Sequence, residues 1–412
     1  MQLYRLSSAA LLASVLTGAV QAAPLTFSAA ITIAQDSAPS LEARTLQAQG
    51  ARAAAQAAGQ LPDPKLGLVV EGFPVSGPNA GHPSRDNFAD VRVGLSQDMP
   101  SRAKRQAQRD RAATEILAAD TVRRLTGRDV RLGAALAWIN LYYAKQRLAS
   151  LDGLLASLDP LWRSAPSSVT SGGARPAQAL EAEQMRADLE DRRADLQAGA
   201  GRARAELARW TVDPDADVSG PPPNFIVDPP ALRTAIDHNP DLAVRDAEVR
   251  KSRADVALAR AEKRPDWGWE VGYQRRDPRF GDMVSAGVTV SLPIFASSRQ
   301  NPMIAARVAA AGQARAEREA TRRELVAQLD AGLADHTMHH EQWMRAQTVL
   351  TPLAKQRADL ETASYAAGRV GLPDVLQALT ALANAQLTLF DREAAVAADG
   401  ARLVLTFEGA DR

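Results

Sequence analysis

The chain has 412 residues, with 49 Lys and Arg against 48 Asp and Glu, 5% aromatic residues and no cysteine. Near-neutral charge excludes a nucleic-acid binder that draws its affinity from excess positive charge. The lack of cysteine excludes a disulfide framework, a thiolate metal site, a thiol nucleophile and a lipid anchor on an N-terminal cysteine, and abundant alanine with few aromatics favours long, closely packed helices over one large globular core.

The N-terminus reads as an export signal. Arg5 supplies the positive region, Leu11 to Val20 the apolar run and Val20-Gln21-Ala22 the small-residue cleavage site. The run is far short of the ~20 residues of a membrane helix, so residues 1–22 are expected to be a signal peptide. No later run is long and apolar enough to span a bilayer as a helix.

Pro39-Ser40-Leu41, followed by Arg44, then opens an alanine-rich helix that stops at Pro62-Asp63. Two alternating segments come next, near 65–73 and 89–97. Leu66, Leu68 and Val70 share one face of the first, and Val91, Val93 and Leu95 alternate with Arg92, Gly94 and Ser96 in the second. Between them, Pro74 to Asn87 is rich in Gly, Pro and Ser and reads as an exposed loop. Pro100 to Pro160 is free of proline and carries Leu132, Leu136, Ile139 and Tyr143, then Leu148, Leu151, Leu155 and Leu158. Steps of three and four mark one apolar stripe on a helix, and about 60 residues at 1.5 Å each reach about 90 Å. Ser171 to Arg175, with Gly172 and Gly173, reads as the turn into a returning helix.

The same order then recurs. Pro240-Asp241-Leu242, followed by Arg245, opens a helix that stops at Pro265-Asp266. Near 266–275, Trp267, Trp269, Val271 and Tyr273 alternate with Gly268, Glu270, Gly272 and Gln274. Near 284–292, Ala286, Val288, Val290 and Leu292 alternate with Ser285, Gly287, Thr289 and Ser291. A long helix, a turn at Gly368 to Leu372 and a final stripe of Leu372, Leu376, Leu379, Ala383, Leu387 and Phe390 follow. Gly287 lies 193 residues after Gly94, Pro240 lies 201 after Pro39 and Pro265 lies 203 after Pro62. The chain is therefore expected to hold two repeats, residues 23–228 and 229–412.

A sheet half-buried on a soluble core would alternate in the same way. Segments of 9 to 10 residues, however, have the length of a tilted transmembrane strand, and Trp267, Trp269 and Tyr273 suit an interfacial aromatic girdle. Four strands cannot close a barrel, and an open edge in lipid costs several kcal/mol per unpaired group. A spanning reading therefore requires several copies to share one barrel.

This pattern resembles the TolC family of outer-membrane efflux proteins. The resemblance rests on the duplicated order, on Gly287-Val288-Thr289-Val290-Ser291-Leu292-Pro293-Ile294-Phe295, and on Tyr365-Ala366-Ala367-Gly368 through Asp374-Val375-Leu376-Gln377-Ala378. It implies an α+β, mainly α protomer whose long coiled-coil helices form an α-barrel and whose four strands join a twelve-stranded barrel in a homotrimer. It further implies an outer-membrane location with most of the mass in the periplasm, a periplasmic adaptor, an inner-membrane pump of the RND type, and passive transit with no cofactor and no chemistry.

The resemblance also places a pore entrance at Asp374, where Gln377 stands in for a second acidic residue of the family pattern. An Asp at a helix start after Pro373 is equally expected for helix stability alone. Adaptor docking is implied at the two turns, Ser171, Gly172, Gly173 and Arg175 in one and Gly368, Arg369, Val370, Gly371 and Leu372 in the other. Ser297-Ser298-Arg299-Gln300-Asn301-Pro302 is similar to the heavy-metal, CzcC-like branch, which makes metal cations the expected cargo, with drug or solvent efflux or type I secretion as the alternative.

His336, His339 and His340 fall at i, i+3 and i+4 and form a weak metal-binding candidate beside the simpler reading of a solvated cluster. A periplasmic adaptor or a coiled-coil structural protein is the rival of another class. An enzyme is disfavoured, because no phosphate loop, nucleophile elbow or His-Glu-x-x-His is present.

Overall fold

The computed structural model describes residues 24–86, 88–170 and 175–407. The expected signal peptide, and the turn residues Ser171, Gly172 and Gly173, lie outside them. The elements are helices α1 (Phe27–Ser37) and α2 (Pro39–Ala57), strands β1 (Lys65–Glu71) and β2 (Asp90–Met99), and helices α3 (Arg102–Thr170), α4 (Pro176–Thr211), α5 (Pro229–Ala235) and α6 (Pro240–Ala261). Strands β3 (Trp267–Arg275) and β4 (Met283–Val290) follow, then helices α7 (Gln300–Arg345), α8 (Thr351–Ala366) and α9 (Leu372–Phe407). A helix, a strand pair, a very long helix and a returning helix thus occur twice along the chain.

α3 alone has 69 residues and is about 100 Å long. It outlasts the proline-free stretch by running through Pro160, although a proline inside a helix removes one hydrogen bond and crowds the preceding turn. The Leu151, Leu154 and Leu158 stripe packs there against Leu189 of α4 and Leu372 and Leu376 of α9. That burial, about 1.5–3 kcal/mol per leucine, outweighs the local defect.

In the second half, α7 and α8 are joined by a π-helical segment, Ala346–Leu350, in which the Thr351 N–H reaches back to the Ala346 carbonyl. Pro352 lies just beyond, and the wider turn gives room for a ring that would collide with the carbonyl four residues earlier.

The main core sits beside the middle of α3, where the C-terminal parts of α4 and α9 meet it. Trp138 of α3 is fully buried, donates from Nε1 to the Leu25 carbonyl at 2.8 Å, stacks on Tyr142 and meets Phe27 edge-on. Around it lie Leu207 of α4, Ala401 of α9 and Val218 of the connecting segment. The two halves are also tied by charge. Arg128 of α3 donates to Asp241 of α6 at 2.6 Å, and Arg111 pairs with Asp255 at 2.8 Å.

The strands form one antiparallel sheet in the order β1-β2-β3-β4. The two central strands have 10 and 9 residues, as expected, whereas the edge strands have only 7 and 8. β1 ends two residues before the expected 73, and β4 two before 292. The reason is physical: an edge strand has a partner on one side only, so pairing stops where that partner turns away.

Candidate channel-forming surfaces

The register decides which side chains share a face. Leu66, Leu68 and Val70 lie opposite Leu95, Val93 and Val91. Leu95 and Val93 in turn lie opposite Val271 and Tyr273, and these face Ala286 and Val284. Trp267 and Trp269 complete the same face opposite Val290 and Val288. The result is a largely apolar sheet surface, interrupted by Gln97 opposite Trp269 and by Arg275 opposite Val91 at the outer end, with nothing packed over it. Leu66 is 77% exposed and Val288 70%. The other face carries Gly67, Gly94, Gly272 and Gly287, together with Ser96, Ser285, Thr289 and several charged groups.

A soluble half-buried sheet turns its apolar face inward. This sheet does the reverse. Trp267 stands at the helical end of β3, and Tyr273 lies six residues on, about 20 Å along the strand, where its hydroxyl bonds Asp282. The three aromatics thus lie on the apolar face, as the alternation required.

β1 and β4 each leave one edge unpaired. Every second residue there presents a bare N–H and C=O, which hydrocarbon does not tolerate. Among the described residues no helix is long and apolar enough to cross a membrane.

At the far end of the long helices, the second turn is fully described. Gly368 adopts φ +67°. Its N–H bonds the Tyr365 carbonyl at 2.9 Å, and the Arg369 N–H bonds the Ser364 carbonyl at 2.9 Å. This is the Schellman closure that favours glycine, so Gly368 ends the outgoing helix rather than opening the returning one. Asp374 is exposed, and its Oδ2 accepts from the Gly371 N–H at 3.0 Å. Gln178 does the same for the Arg175 N–H at 2.9 Å in the first turn. A polar side chain at the third helical position that reaches back to the cap is half of a capping box, and Gln178, like Asp374, stands at that spacing in the sequence.

Gln377 is exposed one turn along from Asp374, and Arg369 is exposed beside half-buried Val370. Leu372 corrects the expected apolar docking patch. It is only 7% exposed and belongs to the buried cluster beneath the turn, in line with Leu376 on the same face of α9.

The histidines do not gather. His339 Nδ1 meets Asp399 of α9 at 2.6 Å, while His336 and His340 lie tilted to each other by 46° with ring centroids 6.4 Å apart. Positions i and i+4 align on a helix, but i+3 falls to the other side of that line, and the packing of α9 claims it. No group of three or more ligating side chains suited to a metal occurs among the described residues.

His336 and His340 instead border a cavity of about 630 Å³ with Trp343, Tyr143 and Glu393. Burial pushes the Glu393 carboxyl above its ordinary range, which the hydrogen bond from Tyr143 only partly offsets. Burial pushes the His336 imidazole down despite the attraction of Asp399.

A family model described as "Outer membrane efflux protein" matches residues 231–406. The chain is 26% identical over 381 residues to the cobalt-zinc-cadmium resistance protein CzcC of Cupriavidus metallidurans, covering 89% of this chain and 86% of that one. Among solved structures, a membrane protein from Pseudomonas aeruginosa superposes with a TM-score of 0.79 at 17% identity, over 93% of this chain and 90% of the other. The CmeC outer membrane channel of Campylobacter jejuni gives 0.78 at 12% identity, over 92% and 85%. These structures share the fold.

Proposed function

Because the chain belongs to the outer membrane efflux protein family, the TolC family, and is a non-enzymatic outer-membrane efflux channel, we propose that it is the exit duct of a tripartite system whose cargo is heavy-metal cations. Channels of this family form trimers within such systems. The observation that carries the channel reading is the four-stranded sheet. Its apolar face is bare, its two edges are open, and it stands on helices about 100 Å long. Three copies supply twelve strands, the open edges pair around the ring, and the bare faces meet lipid.

In this reading residues 23–228 and 229–412 are two repeats that each give two strands and a helical hairpin to the common wall. The turns at Arg175 and at Gly368 to Gly371 receive a periplasmic adaptor. Asp374, repeated about the axis, adds negative charge at the entrance, where like charges repel one another and attract cations. Its bond to Gly371 gives it a capping role at the same time. An RND-type inner-membrane pump supplies the energy.

The metal cargo is supported by the long match to CzcC, a cobalt-zinc-cadmium resistance protein. Transit needs no tight site, in keeping with the separated histidines. The test is a deletion strain assayed for tolerance of zinc, cobalt and cadmium alongside dyes, detergents and antibiotics. Loss of metal tolerance that the intact gene restores is the expected result. Unchanged metal tolerance with new drug sensitivity would replace the metal cargo with an organic one.

A further inference from the structure

The polar face of the sheet holds an arrangement that the alternation pattern does not announce. Arg92, near the start of β2, lies across the sheet. Its Nη2 donates to Ser285 Oγ of β4 at 3.0 Å, and its guanidinium lies 3.7 Å from Glu71 of β1 and 3.9 Å from Glu270 of β3. One side chain therefore reaches all three other strands.

The floor beneath it is cut to allow this. A Cβ at Gly272 would come within 2.9 Å of Arg92 Nε and 3.0 Å of Ser285 Oγ, so any side chain there would lift the guanidinium off the sheet. Pairs at 3.7 and 3.9 Å on a partly exposed surface contribute little stability. The consequence lies in the charge. The polar face of the four strands holds two cations, Lys65 and Arg92, against four carboxylates, Glu71, Asp90, Asp98 and Glu270. Lys65 is already engaged with Asp98 at 2.7 Å at the helical end. Arg92 is the cation of the distal half, next to the connecting loops.

We propose that Arg92 is a specificity-determining residue of the barrel: it offsets the carboxylates of the lumen face and sets how strongly the exit favours cations over anions. The inference rests on the channel reading, in which the polar face lines the lumen. Twelve strands about 4.8 Å apart and tilted about 40° enclose a radius on the order of 12 Å. The Debye length is about 10 Å at 0.1 M salt and about 3 Å at 1 M. The field of three Arg92 copies therefore reaches most of the cross-section in dilute salt and little of it in concentrated salt.

The test is the reversal potential of the purified full-length protein in planar bilayers under a KCl gradient, near 0.1 M and again near 1 M. Arg92→Gln takes each copy from two net negative charges on this face to three. Cation enrichment and anion depletion both scale with fixed charge, so the cation-to-anion permeability ratio should rise roughly twofold in dilute salt, with the difference fading near 1 M. Glu270→Gln should lower the ratio, Arg92→Lys should keep it near wild type, and the double variant Arg92→Gln/Glu270→Gln should return it there. A purely structural brace would not be restored by the second loss.

An unchanged ratio for Arg92→Gln in dilute salt, or a double variant that stays shifted, would overturn the proposal. If Arg92→Gln does not insert, Glu270→Gln decides alone, and a ratio that fails to fall overturns it. Wild-type protein that forms no conducting channel would instead defeat the channel reading itself.

Discussion

Two substitutions one residue apart on β2 separate a bilayer-facing sheet from any other placement. Leu95 lies mid-strand on the apolar face, opposite Leu66 and Val271, and Ser96 lies at nearly the same depth on the polar face, opposite Lys65 and Glu270. An arginine on the lipid face near the bilayer midplane costs about 2–4 kcal/mol. Three copies bring this to roughly 6–12 kcal/mol per trimer, comparable with the whole stability of an ordinary domain. Ser96→Arg instead puts the guanidinium in the lumen beside Glu270, where water solvates it, and its cost should stay under about 1 kcal/mol.

The assay is the yield of assembled oligomer in outer membranes, with chain synthesis matched by immunoblot. Leu95→Arg should lose most of the assembled form, and Ser96→Arg should keep it. Equal assembly of both variants, or selective loss of Ser96→Arg, would refute the assignment of faces.

Asp374→Asn keeps an acceptor for the Gly371 N–H while removing the charge, so assembly should persist and cation preference should fall; unchanged reversal potentials would leave Asp374 a helix cap only. Gly368→Ala places a Cβ at φ +67° and should cost about 1 kcal/mol through backbone strain alone. Thermal unfolding of the purified protein would show it as a small drop in Tm with assembly intact.

Glu393→Gln should stabilise the protein at neutral pH. Burial raises the folded carboxyl above its unfolded value, so the stability it contributes is fully present below the unfolded range and is lost as pH rises through the folded one. The advantage of the variant should therefore shrink on acidification toward pH 4, and a gain that grows instead would contradict the sign.

The strands were legible because alternation is a local property. Trp267, Trp269, Val271 and Tyr273 stay on one face whatever surrounds them, and the register then forces Leu95 and Ala286 beside them. The place of the Gly368 turn was legible too, but not its role, which the left-handed closure fixes as the end of the outgoing helix. What sequence could not supply were outcomes that depend on neighbours. Leu372 has two readings in sequence, the start of the apolar stripe and part of the exposed turn, and only the packing of the neighbouring helices decides for the stripe. His339 parts from His336 and His340 because Asp399, 60 residues away, stands on the adjoining helix. Arg92 looks like one polar residue in an alternating run; only the pairing of Gly272 and Ser285 beside it shows that it spans the sheet.

The shared barrel is tested most directly by covalent capture of the open edges. The chain has no cysteine, so two introduced ones report on each other alone. Val288→Cys on β4 would be combined in turn with a single cysteine at each position from Lys65 to Glu71 on β1. Neighbouring strands bring opposed Cα atoms to about 4.5–5.5 Å, within the range a disulfide needs. At the right register, oxidation in intact outer membranes should give linked species of two and three copies and nothing larger. No intermolecular product at any β1 position, or a ladder that runs past three copies, would contradict a closed trimeric barrel.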